Sequence, residues 1–291
     1  MWLNFSKIEL EVLHMLCEGS ASAGELAKKL RKKNSFISRT LGKLRQKGMA
    51  VKGRQEISLS QAAQAQSFKR LYDSRPDAKI EAWFCSSAMD VLIVLAGFNE
   101  GCELGALVAE IGCSKPTMFK VLKRFYAAGV ATKRGSKAMI SDRLVREFAE
   151  NYANGLHLLL LSQAKGHNGS IRVRKNVVAR TDAKGVPHYF SQTGLSALAN
   201  MGLEAVLTSY NDFYFNLDMR ERNVGAEEAF VHALLLTTMQ QHQDNTVLAI
   251  FLNKNMRKLN IGKMRELAKE YNILGELDTM RQALDYAQKA R

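Results

Sequence analysis

The sequence predicts a mainly α-helical chain with small β-hairpin wings in its first half, followed by an α+β region in its second. Three observations carry this. Residues 8–60 overlay residues 89–141 at a constant offset of 81 without a gap. Inside each stretch, apolar residues recur at helical spacing and stop at glycine. Past residue 165 the pattern changes to alternation of apolar and polar positions.

In the first stretch, Ile8, Val12, Met15 and Leu16 share one face of a helix that Gly19 and Ser20 stop. After a polar turn at Ser22, Glu25-Leu-Ala-Lys-Lys-Leu30 forms a short second helix with Leu26, Ala27 and Leu30 inward. A third helix is expected to take its cap from Asn34 or Ser35, to bury Ile37, Leu41 and Leu44, and to end at Gly48. Met49–Lys52 and Glu56–Leu59 read as strands around the turn Gly53-Arg54-Gln55. The second stretch repeats the order: Met89–Phe98, Glu103–Ile111, Lys115–Ala128 with Pro116 early in the helix, Gly129, and a hairpin around Arg134-Gly135-Ser136. Leu26 falls on Leu107, Leu41 on Leu122, Leu44 on Phe125 and Gly48 on Gly129. Three helices and a hairpin are the layout of a winged helix-turn-helix.

The expected organisation is a first winged helix over 1–60, a helical linker over 61–80, a second winged helix over 81–141, a connecting helix over 142–165 and an α+β domain over 166–291. The linker reads as a polar spacer ending near Asp73 and Pro76. Leu144, Val145, Phe148 and Tyr152 give the connecting helix an apolar face suited to a core, with homodimerisation as the alternative use. In the last region Ile171–Arg180 and Val186–Phe190 read as strands around the turn Asp182–Gly185, Thr193 caps a helix, and Asp212–Phe215 is a further strand. Helices follow over Ala226–Thr238, Thr246–Asn253, Ile261–Tyr271 and Leu274–Gln288.

Lys and Arg total 42 against 28 Asp and Glu, so the chain seeks a polyanion. The excess is concentrated in residues 1–80, with 16 basic against 7 acidic residues, whereas residues 81–150 hold 9 against 8. The longest apolar run, Val91–Phe98, is far below the ~18 residues of a membrane span. No membrane partner is expected. Met1–Glu11 carries acidic residues and no basic leader, so a cytoplasmic location is expected. Cys17, Cys85, Cys102 and Cys113 form no C-x-x-C pair and read as buried thiols. The six histidines show no metal-binding spacing, and no cofactor is expected.

The candidate contacts lie on the third helix and hairpin of each stretch. In the first they are Ser35, Ser38, Arg39, Lys43 and Arg45 on the helix, with Lys52 and Arg54 on the hairpin. In the second, the helix offers Lys115, Thr117, Lys120, Lys123 and Arg124, with Met118 also read as outward, and the hairpin offers Lys133, Arg134 and Lys137. A helix of this kind enters the major groove, where Arg, Lys and Ser read base edges, while hairpin cations meet phosphates. The weaker charge of the second stretch also suits protein contact. In the last region Glu227 and Glu228 point different ways on their helix, and His232 is placed to pair with Glu228. Tyr210, Phe213, Tyr214 and Phe215 suit a half-buried strand better than base stacking.

The run Glu25-Leu-Ala-Lys-Lys-Leu30, the helix Ser35-Phe-Ile-Ser-Arg-Thr-Leu-Gly-Lys-Leu-Arg-Gln-Lys-Gly48 and the basic hairpin resemble MarR-type winged-helix transcriptional regulators. That resemblance implies transcriptional control through double-stranded DNA. A second resemblance, to the C-terminal part of AbiEi-type antitoxins, covers residues 190–285. It rests on Phe190-Ser-Gln-Thr-Gly-Leu-Ser-Ala-Leu-Ala199, Phe213-Tyr-Phe215, Ala226-Glu-Glu-Ala-Phe-Val-His-Ala-Leu-Leu235 and Met264-Arg-Glu-Leu-Ala-Lys-Glu-Tyr271. It implies an autoregulating repressor whose remainder counteracts a nucleotidyltransferase-like toxin, and this chain departs from it by carrying two winged-helix patterns. A Gly-Ser turn with paired aspartates and a G-x-x-x-x-G-K-[ST] loop are both missing, so an enzyme is not expected. The competing reading is an interaction protein, in which tandem winged helices grip another protein as in chromosome-condensation partners, with little specific DNA binding.

Overall fold

The computed structural model describes residues 3–76, 80–203, 209–239 and 245–289. It is mainly helical with small antiparallel sheets, and it divides into two compact units, Met1–Leu160 and Leu161–Arg291.

The first unit opens with α1 (Lys7–Glu18), α2 (Ala23–Lys29), α3 (Asn34–Gln46), β1 (Ala50–Lys52) and β2 (Ile57–Leu59). Next come α4 (Ala63–Ser74), α5 (Glu81–Phe84), α6 (Ala88–Ala96), β3 (Cys102–Glu103), α7 (Leu104–Ile111), α8 (Lys115–Ala127), β4 (Ala131–Arg134), β5 (Lys137–Ile140) and α9 (Arg143–Leu161). The offset of 81 recurs in the backbone. Ala50 pairs with Leu59 and Ala131 with Ile140. Met49 N donates to Leu44 O at 2.9 Å, as Val130 N does to Phe125 O at 2.9 Å. Ser60 N donates to Met49 O and Ser141 N to Val130 O, both at 3.0 Å. Both hairpins also gain a third partner, Ala21 bridging to Ile57 and Cys102 pairing with Ala138. β3 is only two residues long, too short for alternation to announce it.

The helix expected as a polar spacer is instead packed. α4 buries Ala65, Phe68 and Leu71 at helical spacing, an apolar stripe that intervening glutamines and serines obscure. Phe148 of α9 stands 5.4 Å from Phe68 and 4.9 Å from Phe84, both edge-on, and Tyr152 lies 5.0 Å from Phe5. Tyr152 Oη, fully buried, donates to Leu3 O at 2.9 Å. Such edge and tilted pairs suit the ring quadrupoles and tie α4, α5 and α9 to one another and to Phe5 ahead of α1.

Gly48 and Gly129 end α3 and α8 at φ of +69° and +68°, a region that costs a side chain roughly 1–2 kcal/mol. Their surroundings differ. A Cβ on Gly129 would meet nothing within 4 Å, whereas one on Gly48 would sit 2.4 Å from Gln64 Nε2 and 2.9 Å from Leu159 Cδ1. Gln64 is buried and has no room to yield, because Gly155 of α9 closes on its other side. Gly129→Ala is therefore expected to cost about 1–2 kcal/mol by denaturant titration. Gly48→Ala should cost about 1–3 kcal/mol more, the usual penalty of overpacking.

The second unit holds β6 (Asn168–Val173), β7 (Asn176–Thr181), β8 (Ser191–Gln192), α10 (Gly194–Ala199), β9 (Asn211–Asn216), α11 (Ala226–Thr237), α12 (Asn245–Asn255), α13 (Ile261–Glu270) and α14 (Leu274–Lys289). Its sheet is antiparallel, in the order β6-β7-β9-β8. The single strand expected over Ile171–Arg180 is two strands. The chain reverses at Arg174, which adopts φ +55° without the glycine or asparagine that usually marks such a turn. Val186–Phe190 is not a strand either; Tyr189 and Phe190 are buried, with Phe190 stacked 4.4 Å from Phe215. α11 is buried from Glu228 through Thr237, as a helix apolar on all sides must be, and β7, α10, α12 and α13 pack around it.

Candidate nucleic-acid interface

Two capping boxes set up the first module. Ser6 Oγ accepts from Glu9 N at 3.4 Å while Ser6 N donates to Glu9 Oε2 at 2.7 Å, which fixes the start of α1. Ser22 and Glu25 do the same for α2, at 3.2 and 2.7 Å. Both S-x-x-E signatures are visible in the sequence. Arg31, at φ +52°, reverses the chain between α2 and α3. The cap of α3 is Lys33, with no side-chain hydrogen bond, so Asn34 and Ser35 are its first helical residues rather than its cap.

α3 buries Ile37, Thr40, Leu41 and Leu44 and exposes Ser35, Ser38, Arg39, Lys43 and Arg45. The Arg39 guanidinium lies back along its own helix, Nε donating to Ser35 O at 3.4 Å. Beside this face, Gly53 N donates to Glu56 O at 2.8 Å, closing a turn that leaves Lys52 and Arg54 exposed. A further cationic group escapes the periodicity argument. Lys28, Lys29, Arg31, Lys32 and Lys33 are all exposed at the end of α2 and in the turn leading into α3. The charge run in the sequence is its signal.

Lys47 follows α3 and turns inward. Its Nζ donates to Asn4 O at 2.7 Å and to Glu9 Oε1 at 2.9 Å, and lies 4.6 Å over the Phe5 ring. Burial alone would raise the Glu9 carboxyl, but the Lys47 charge and the hydrogen bonds from Lys47 and Ser6 hold it below the usual value.

In the second module Ser114 caps α8, accepting from Thr117 N at 3.4 Å. Thr117, exposed, shares a 2.9 Å hydroxyl contact with Ser114 and so serves the cap. Lys115, Lys120, Lys123 and Arg124 are exposed, as are Lys133 and Arg134, while Lys137 is half-buried. Met118, read as outward, is fully buried, because it occupies the inward position that Ile37 holds in α3. Phe119 is exposed instead, at 58%.

In the second unit His232 sits at the middle of the core, fully buried. Its Nδ1 meets Thr193 Oγ1 at 2.8 Å and its Nε2 meets Tyr271 Oη at 2.8 Å, whereas Glu228 Oε1 stands 3.7 Å away. Thr193 thus spends its hydroxyl on His232 instead of capping α10. Burial, and secondarily the Arg222 charge, pushes the imidazole down to about 3. Tyr214 stacks on the ring at 5.3 Å, and Arg222 lies 4.3 Å over Tyr214. Tyr214 and Phe215 are buried and Phe213 is half-buried, so these aromatics belong to the core, whereas Tyr210 lies ahead of β9 and is exposed. Cys17 and Cys102 are buried, Cys85 and Cys113 half-buried, and none of these four thiols is in a disulfide. Among the described residues no helix is long and apolar enough to cross a membrane.

Residues 6–52 match a family model described as bacterial regulatory protein, arsR family. The matched stretch runs from the Ser6 cap through α1, α2 and α3 to the end of β1 and covers well under half of the chain. It is similar to a regulatory helix-turn-helix. No curated protein and no solved structure matches the chain.

Proposed function

We propose that this protein is a sequence-specific regulator of transcription that binds double-stranded DNA through α3 and the β1–β2 hairpin. The observation that supports it is the segregation of α3, with Ile37, Leu41 and Leu44 buried and Ser35, Ser38, Arg39, Lys43 and Arg45 exposed beside Lys52 and Arg54. A rod of helix whose polar face is cationic fits the major groove, and the adjacent hairpin reaches the backbone. Arg39 is assigned to a base edge and Lys43 to a phosphate. Lys115, Thr117, Lys120, Lys123, Arg124, Lys133, Arg134 and Lys137 form the corresponding nucleic-acid surface of a second module, and a homodimer would present two copies of α3 to the half-sites of a palindromic site. The finer antitoxin reading rests on the resemblance of residues 190–285 alone and adds a nucleotidyltransferase-like toxin as partner.

The test is binding of the purified protein to the duplex upstream of its own gene, against a scrambled duplex, across a salt series. Arg39→Ala is expected to weaken specific binding by about 1–3 kcal/mol and relax the sequence preference. Lys43→Ala should weaken binding to all sequences and lower the slope of log K against log salt by about 1. Binding that ignores sequence, salt and both substitutions would sink the reading and favour the interaction protein.

A further inference from the structure

At the offset of 81 the two modules share three cations and differ at two positions close to them. Arg39, Lys43 and Lys52 have Lys120, Arg124 and Lys133 as counterparts. Ser38 and Arg45, by contrast, become Phe119 and Tyr126. These two aromatics lie seven residues apart on one face of α8, about 10 Å along the axis, with Lys123 between them. They line a groove of about 450 Å³ between α8 and the β4–β5 hairpin, floored by Leu122 and rimmed by Lys123 and Lys133. At the hairpin end Glu103 Oε1 accepts from Oγ of Ser136, a residue that lines the groove, at 3.3 Å.

A flat ring offers nothing to hydrogen-bond a base edge, which is what the same position supplies in α3 through Ser38. What a ring recognises is the face of another ring, and in nucleic acid that face is covered inside a duplex and open on an unpaired base. Lysines around an aromatic groove add the charge that an anionic strand requires. We infer that the α8 groove binds an unpaired base of a DNA strand, stacked on Phe119 with its flanking phosphates on Lys123 and Lys133. The inference rests on the reading that these third helices meet nucleic acid, and it gives the two modules different targets, duplex for α3 and unpaired nucleotide for α8.

The experiment uses the full chain with two probes of equal length, a blunt duplex and a thymine-rich single strand carrying one 2-aminopurine, whose fluorescence falls when it stacks on an aromatic ring. The intact protein should quench the single strand. Phe119→Ser, a substitution at an exposed position to the residue α3 uses, should abolish the quenching and weaken single-strand binding roughly five- to a hundredfold. It should change blunt-duplex binding less than about twofold, within which affinity is unaltered for this purpose. Tyr126→Phe keeps the ring and should keep the quenching. Arg39→Ala with Lys43→Ala should do the reverse of Phe119→Ser. Blunt-duplex binding without any quenching overturns this inference and leaves the α3 reading standing. Quenching without duplex binding overturns that reading and supports this one. Equal loss on both probes in Phe119→Ser means that the ring touches duplex, by a thymine methyl or a wedge, and overturns it as well.

Discussion

Replacing Lys47 with methionine is expected to lower the stability of the first unit by about 3–5 kcal/mol at neutral pH. The Lys47 and Glu9 side chains are only 3% and 4% exposed, so the substitution strands a carboxylate away from water. Asn4 O loses its 2.7 Å donor as well. The penalty has a pH signature. Glu9 is held below its usual value in the native protein, so its ionised form contributes stability above about 4.5 that is lost as pH falls through the folded value. Without Lys47 only the Ser6 hydrogen bonds oppose the effect of burial, and the carboxyl protonates more readily. The difference between native protein and variant should therefore be greatest at neutral pH and shrink below about 5. Lys47→Met combined with Glu9→Gln, which keeps an acceptor for the Ser6 amide, should recover most of the loss. Denaturant titrations of the three proteins at pH 7 and pH 4.5 measure this. A single-variant cost below about 1 kcal/mol would mean that water reaches the pair.

The second unit is expected to fail in acid through His232. Its folded value of about 3 lies below the 6.5 of an exposed imidazole. The unfolded chain therefore takes up a proton that the native protein refuses, and the stability that the neutral ring confers is complete above pH 6.5 and drains away as pH falls towards 3. Each unit of pH in that window removes about 1.4 kcal/mol, so about 2 kcal/mol goes between pH 6 and pH 4.5. Neutral imidazole carries one donor and one acceptor, and the two hydroxyls at 2.8 Å take one each, since each can play either role. The check is the slope of stability against pH over that range, in the native protein and in His232→Gln. The variant should start less stable and lose about one proton's worth of slope. Equal slopes would show that the imidazole is reached by solvent.

How much of this was legible depended on repetition. The offset of 81 carried the positions of both third helices, both hairpins and the glycines that end the helices, because inward residues and left-handed turns tolerate few alternatives. Met118 was misread by considering α8 alone, although its counterpart Ile37 had already been placed inside. The turn at Arg174 left no trace, since arginine is not a residue that announces a positive φ. Lys47 was invisible for a different reason. Nothing local distinguishes a lysine that meets Glu9, 38 positions earlier, from the solvated cations around it. The hydrogen-bond partners of His232 are each 39 residues away, so local spacing could reveal only Glu228, one helical turn back and 3.7 Å from Nε2.

The bond from Tyr152 to the Leu3 carbonyl spans 149 residues, and Phe5 waits on the same stretch of α9. On a ribosome adding roughly 5–20 residues per second, that interval is on the order of ten seconds. During it α1 to α3 emerge with the Phe5 side of their core uncovered, so the nascent chain carries a sticky face well before the element that seals it exists. Any early use of the α3 surface, or any rescue by a chaperone, falls within that window.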